Sequence, residues 1–158
     1  MRHRKLWASS RPADPGGESG SASLEFITAG LILLVPLVYL VVAMSAIQGG
    51  SLAVEGAARQ AARVYVQSPD QATATERAER AVQFALADYG LKPGAAQVSI
   101  DCTEPADGCL TRQSAVTVRV RLSVALPLVP EVLSVPGAAS IPVEATATQV
   151  VSRFWATQ

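Results

Sequence analysis

The feature that most constrains this chain is an uninterrupted hydrophobic run near its N-terminus. Residues 26–47 contain no Asp, Glu, Lys or Arg. As an α-helix, at about 1.5 Å per residue, they extend roughly 30 Å, which is the thickness of the hydrocarbon core of a bilayer. The apolar region of a secretory signal is shorter, at about 7 to 15 residues. We therefore predict a transmembrane helix over residues 21–47.

Charges on the two sides of this run predict its orientation. Four basic residues between Arg2 and Arg11 precede it, whereas the first charge after it is Glu55. Because positive residues are retained on the cytoplasmic side of a membrane, residues 1–20 are predicted to be a cytoplasmic leader and residues 48–158 an exported domain. Apolar residues do not recur at a regular spacing in the leader, so we expect it to be disordered.

Composition narrows the function of the exported part. Its roughly 110 residues suffice for one small hydrophobic core. The formal net charge of the chain is zero, so we do not expect the broad basic surface of a nucleic-acid-binding protein. The only histidine, His3, lies in the leader, so no Ser-His or Cys-His catalytic pair can form outside the cell. These observations predict a protein that is not an enzyme.

Two cysteines, Cys102 and Cys109, follow the hydrophobic run and are the only ones in the chain. Disulfides persist on the export side of a membrane, so we predict a bond between them. Zinc is disfavoured because the only histidine lies on the other side of the membrane. Asp101, Glu104 and Asp107 surround the cysteine loop without the spacing of an EF-hand. A solvated acidic hairpin is the stronger interpretation and calcium the alternative, so no cofactor is expected.

Beyond the hydrophobic run, the period of the apolar residues predicts an α+β domain. The helical period continues to about Val64, and the segment 68–70 is predicted to end the first helix and to cap a second one, which closes at Gly90. Further along the chain, apolar and polar residues alternate as they do in a β-strand. Three segments show this alternation, at residues 97–100, 116–124 and 141–148. We predict a long N-terminal helix, a second helix and an antiparallel sheet of at least three strands, with the helices covering one face of the sheet. Pro142 is expected at the start of a strand or in an edge strand.

Spacing also predicts which helical faces are buried. In the first helix the predicted apolar side comprises Leu52, Ala53, Gly56, Ala57, Gln60, Ala61 and Val64. In the second helix it comprises Ala74, Ala78, Ala81, Val82, Ala85 and Leu86. Small residues recur every four positions at Ala46 and Gly50 and from Ala53 to Ala61. This stripe would allow another helix to approach closely, and an alanine-rich composition is the alternative explanation.

A glycine and a glutamate stand at a defined spacing before the hydrophobic run. Gly20 is followed by four uncharged residues and then by Glu25 and Phe26. A short basic leader with this spacing resembles a type IV prepilin-type signal, and the Glu-aromatic pair resembles the Flp subclass used by tight-adherence (Tad) pili. With one N-terminal span, an exported domain of this size and a late cysteine pair, the whole chain resembles the TadE-like minor pilins or pseudopilins.

This resemblance implies that a membrane prepilin peptidase cleaves after Gly20 and leaves Ser21 as the N-terminus. It also implies that Glu25 acts in assembly, where the Ser21 ammonium of a neighbouring subunit offsets the cost of a carboxylate in hydrocarbon and sets the register between helices. Phe26 departs from the tyrosine often found in Flp major pilins, which are also much shorter, so a major filament subunit is disfavoured. The implied partners are the membrane, the peptidase, other pilins or pseudopilins and the Tad assembly machinery.

Other interpretations remain open at this point. An acidic residue in the first turn of a helix is stabilised by the helix dipole, and a Gly-Ser-rich linker before a span is ordinary. The chain would then be an unprocessed single-pass membrane protein that displays a small binding domain. A secreted form, released by signal peptidase near Ala46, is a third interpretation, and as an enzyme it would need an active site for which no residues are evident.

Overall fold

The computed structural model of the protein describes residues 19–92, 94, 96–103, 108–129 and 140–155. Within them, two helices precede three strands: α1 (Ser19–Val66), α2 (Gln71–Asp88), β1 (Gln97–Cys102), β2 (Ala115–Ala125) and β3 (Ser140–Val150). The predicted α+β class, with both helices and an antiparallel sheet, is confirmed. Most of the predicted leader, together with Glu104, Asp107 and the proline-containing segment 130–139, lies outside the described residues.

The chain divides into two units, and the division falls within α1. The first unit ends at Leu40 and the second begins at Val41. In the first unit, the side chains of residues 21–38 are all exposed along the helix. The second unit contains a hydrophobic core to which residues of both helices and of the sheet contribute.

Strand β2 lies at the centre of the sheet. The strand order is β1-β2-β3 and both pairings are antiparallel, with Ile100 opposite Val118 and Val120 opposite Ala145. Alternate residues of β2 are buried against the helices: Val116, Val118, Val120, Leu122 and Val124. Pro142 pairs with Ser123 in the edge strand β3, as predicted, because an edge strand tolerates the missing donor.

The buried side of α1 differs in part from the prediction. Ala53, Ala57 and Ala61 are fully buried as expected, but the predicted members Leu52, Gly56 and Gln60 are exposed. In their place the adjacent stripe is buried, comprising Val54, Ala58, Ala62 and Tyr65. Alanines occur on several sides of this segment, so their spacing does not distinguish one helical face from another. The larger side chains of Val54 and Tyr65 determine which face is buried.

Helix α2 matches its predicted face and its predicted boundaries. Ala74, Ala78, Val82 and Leu86 are buried, and Ala81 and Ala85 are half-buried. Asp70 caps the N-terminus, where its Oδ1 accepts the backbone N–H of Thr73 at 2.9 Å and its Oδ2 accepts the Thr73 hydroxyl at 2.7 Å. At the other end Gly90 adopts φ +69°, the left-handed conformation that ends many helices and that glycine adopts without strain.

The Asp70 cap predicts an acid-dependent loss of stability. The backbone N–H of Thr73, then its hydroxyl, and more weakly the charge of Arg77 lower the pKa of the Asp70 carboxyl from its ordinary value of 3.8. Because the folded pKa lies below the unfolded one, the cap stabilises the fold above about pH 3.8, and this contribution is lost as the pH falls through the folded pKa. We expect Asp70→Asn, which keeps a capping oxygen, to flatten the acid limb of a plot of Tm against pH, measured by circular dichroism. Identical acid limbs for the two proteins would contradict this.

The predicted disulfide is present in the second unit. Cys102, at the end of β1, is bonded to Cys109 across a sequence separation of 7, with a Cα–Cα distance of 5.4 Å. The carbonyl of Cys109 accepts the buried Ser114 hydroxyl at 2.8 Å, and the Thr103 N–H donates to the carbonyl of Ala115 at 3.1 Å. The bond therefore closes the connection between β1 and β2.

The segment after β3 returns to the turn between the helices. The indole Nε1 of Trp155 donates to the carbonyl of Ser68 at 3.2 Å, and the Trp155 carbonyl accepts Arg112 Nε at 2.9 Å. Ser68 is fully buried, and its hydroxyl donates to the carbonyl of Val64 at 2.8 Å. The end of the described chain is thus held by polar contacts to residues far away in sequence.

Candidate functional site

The N-terminal part of α1 is an apolar helix with exposed side chains. Its most hydrophobic window has a mean hydropathy of 2.6 and is 0% buried. Phe26 and Leu33 are 81% and 73% exposed. The core helix of a soluble protein would be mostly buried, whereas this helix is long and apolar enough to cross a membrane and presents its apolar side chains outward.

Burial along α1 changes at Ala43. Side chains from residue 21 to residue 42 are exposed, apart from the half-buried Tyr39. Ala43 is buried, and Ala46 packs against the core of the second unit. As an α-helix, the exposed stretch is roughly 33 Å long, but the charge-free part of it, residues 26–42, is only about 25 Å long. A hydrocarbon core of about 30 Å is thicker than this charge-free part.

Glu25 lies beyond the first turn of α1. The helix begins at Ser19 and has no acidic residue in its first turn. The stabilisation of a carboxylate by the helix dipole falls off within that turn. In this structure the dipole therefore does not account for the position of Glu25.

Polar side chains form a stripe on one side of this apolar helix. Ser21, Glu25 and Thr28 line the same shallow depression as Leu24 and Ile32. Spacings of four and three residues place side chains on one helical face, so the carboxylate lies between two hydroxyl groups. Among the described residues, no cation forms an ion pair with Glu25. Sequence reasoning singled out Ser21 and Glu25 but missed Thr28, although its distance of three positions from Glu25 was a usable signal.

The Gly20–Ser21 peptide bond lies in the first turn of α1. The N–H groups of a first turn have no intrahelical partner, and proteolysis favours backbone that is exposed and weakly hydrogen-bonded. Phe26, the aromatic neighbour of Glu25, is exposed one turn further on. The proposed cleavage bond and the polar stripe therefore adjoin each other at the same end of the helix.

The described residues on the outer face of the sheet include two exposed ion pairs that share Glu144. Glu144 Oε1 lies 3.0 Å from Arg119 Nε, and Glu144 Oε2 lies 2.6 Å from Arg121 Nε, which are exposed pairs of small energetic effect. No group of three His, Cys, Asp or Glu side chains able to hold a metal occurs in the described part of the chain. Asp101 is exposed, and the other two acidic residues of the calcium alternative lie outside the described residues.

Comparison with known proteins gave no match to a protein-family model, to a curated protein or to a solved structure. The local chemistry of the N-terminal helix is therefore the basis for assigning a function.

Proposed function

We propose that this chain is a TadE-like minor pilin or pseudopilin, anchored in the membrane by the N-terminal part of α1 and processed after Gly20 by a prepilin peptidase. It takes part in the assembly of a Tad/Flp type IV-like pilus with other pilins and the Tad machinery. The observation that carries the proposal is the acidic side chain of Glu25, which has no ion-pair partner among the described residues and lies on an exposed apolar helix, five residues after the glycine of the cleavage signal.

Helix length supports a role for this carboxylate. Because the charge-free run of residues 26–47 is about as long as the roughly 30 Å of hydrocarbon is thick, Glu25 stands at the edge of the membrane. A charged carboxylate costs about 2.5 to 3.5 kcal/mol at a helix centre and less near the interface. Cleavage after Gly20 creates a new cation, the Ser21 ammonium. Pairing of this ammonium with Glu25 of a neighbouring subunit offsets the cost and fixes the axial register of the two helices.

The exported unit is consistent with a structural subunit. It is a small disulfide-bonded domain whose strands and helices share one core. In the proposed orientation the basic leader stays in the cytoplasm and residues from about 48 onward lie outside, in the oxidising compartment that the disulfide requires. The protein then resides in the cell membrane as a single-pass subunit, with its domain available to the pilus.

Mass spectrometry of the membrane-extracted protein tests the processing step. We expect Ser21 as the mature N-terminus, complete loss of cleavage in Gly20→Val, and normal cleavage in the matched control Gly30→Val. Gly30 lies in the same helix, and a Cβ there meets no atom within 4 Å. Met1 as the mature N-terminus would instead support an anchored binding module, and an N-terminus near Ala46 a secreted protein.

Glu25→Ala tests the assembly step separately. We expect this variant to be cleaved but to be lost from the pilus or the assembly complex, as measured by its share in sheared and affinity-purified fractions. Glu55→Ala is the control, because it removes another carboxylate of α1, one that is exposed and paired with Arg59. Incorporation of Glu25→Ala at the unsubstituted level would rule out the register role.

A further inference from the structure

A groove of about 500 Å³ runs between α1 and α2 in the second unit, with Val64, Ala81 and Ala85 contributing its apolar lining. Phe84 also lines the groove and is 66% exposed. Ala81 and Ala85 were predicted on the buried side of α2, but both are only half-buried. An exposed aromatic ring beside small apolar residues is instead typical of a contact surface.

Four residues of this groove form a stripe along α2. Arg77, Ala81, Phe84 and Asp88 all line the groove, and their spacings of four, three and four positions keep them on one helical face. Arg77 and Asp88 stand at opposite ends of the stripe, roughly 16 Å apart along the helix axis. Neither forms an ion pair with another described residue.

When two copies of this stripe are aligned in opposite directions, each charge faces the opposite charge and each small side chain faces a large one. We propose that a second copy of this chain docks on the groove with its α2 antiparallel, so that Arg77 of each copy faces Asp88 of the other. The same alignment brings Phe84 of each copy over Ala81 of the other, a large side chain against a small one. Such a contact is isologous, with the same patch used on both sides of a two-fold axis. A parallel alignment would instead place like charges together.

The surface area buried in this contact indicates how strong the contact is. Phe84 contributes at most about 150–250 Å² of buried surface, whereas stable interfaces bury about 1,200–2,000 Å² in total. The α2 pair is therefore a weak contact on its own, one that forms at high local concentration. It goes beyond the proposed function and does not depend on cleavage or on Glu25.

Cross-linking of the full chain in detergent solution tests the contact. The described cysteines are both in the disulfide, so a cysteine introduced by Ala81→Cys supplies the thiol for a short bismaleimide. We expect a cross-linked dimer whose yield rises with protein concentration. Gln83→Cys is the matched control, because Gln83 is exposed on a different face of the same helix. A yield at position 81 no greater than that at position 83 would overturn the proposal.

Charge reversal in the Ala81→Cys background identifies the alignment. Arg77→Asp and Asp88→Arg each create like-charge pairs across the interface, and we expect each to lower the dimer yield by roughly fivefold at sub-saturating concentration. The double variant restores both pairs and the yield, and a mixture of the two single variants forms a heterodimer. Three helical turns separate the two positions, so a contact within one chain does not explain such a rescue. With folding verified by circular dichroism, absence of rescue would overturn the antiparallel alignment.

Discussion

Replacing Gly50 with alanine is expected to destabilise the second unit by about 1–3 kcal/mol, the usual cost of forcing an extra group into a packed core. A Cβ at this position would overlap the Cγ2 methyl of Val124. Val124 is only 3% exposed, and branching at its Cβ restricts the χ1 rotamers that it can adopt. The neighbouring strand or the helix must therefore shift to accept a single methyl group.

Gly49 is the matched control for this experiment. It occupies the same helix one position earlier, and a Cβ there meets no atom within 4 Å. Gly49→Ala is expected to stabilise the protein by about 0.5–1 kcal/mol, because alanine loses less backbone freedom on forming a helix. Urea unfolding of the full chain in detergent, followed by circular dichroism, measures both values. Equal shifts of the two midpoints in the same direction would show that α1 does not approach β2 closely at Gly50.

Loss of the Cys102–Cys109 disulfide is expected to cost about 2–3 kcal/mol through the freedom that it removes from the unfolded chain. The double substitution Cys102→Ser with Cys109→Ser removes the bond without leaving a free thiol. The hydrogen bond from the Ser114 hydroxyl to the Cys109 carbonyl remains available, so we expect the same fold with a lower unfolding midpoint.

Reductant provides the internal control for the disulfide. Dithiothreitol should lower the urea midpoint of the unsubstituted protein to that of the double variant and should leave the double variant unchanged. A double variant as stable as the oxidised protein would contradict the prediction. A much larger loss would show that the serine side chains disturb the core at position 109, which is 8% exposed.

The elements that the sequence predicts well are those with strong contrast between their two faces. Residues 116–124 alternate valine or leucine with polar residues, and the structure buries every second one of them. The two sides of helix α2 differ just as strongly in polarity, and Asp70 caps its N-terminus. The alanine-rich part of α1 lacks such contrast, which explains why Leu52 and Gln60 were assigned to the wrong side. The change of burial at Ala43 depends on tertiary packing, and no local signal marks it.

The candidate functional residues also divide into those that the sequence reveals and those that only the structure reveals. The spacing of Gly20, Glu25 and Phe26 is visible in the sequence, and Thr28 was within reach of the same periodicity argument. The stripe from Arg77 to Asp88 was not recognised because Ala81 was assigned to the buried side of α2 and Phe84 to neither side. Only the groove beside α1 brings these two residues together with the two charges. Trp155 belongs to no periodic pattern, so its contact with Ser68 follows from the three-dimensional structure alone.

That contact between Trp155 and the turn at Ser68 joins residues 87 positions apart. A chain that emerges N-terminus first, from a ribosome or through a membrane, presents the turn long before the tryptophan that covers it. The edge strand β3 also arrives late, after its partner β2. The native arrangement of this domain is therefore completed only after β3 and Trp155 have emerged, long after the two helices and β2.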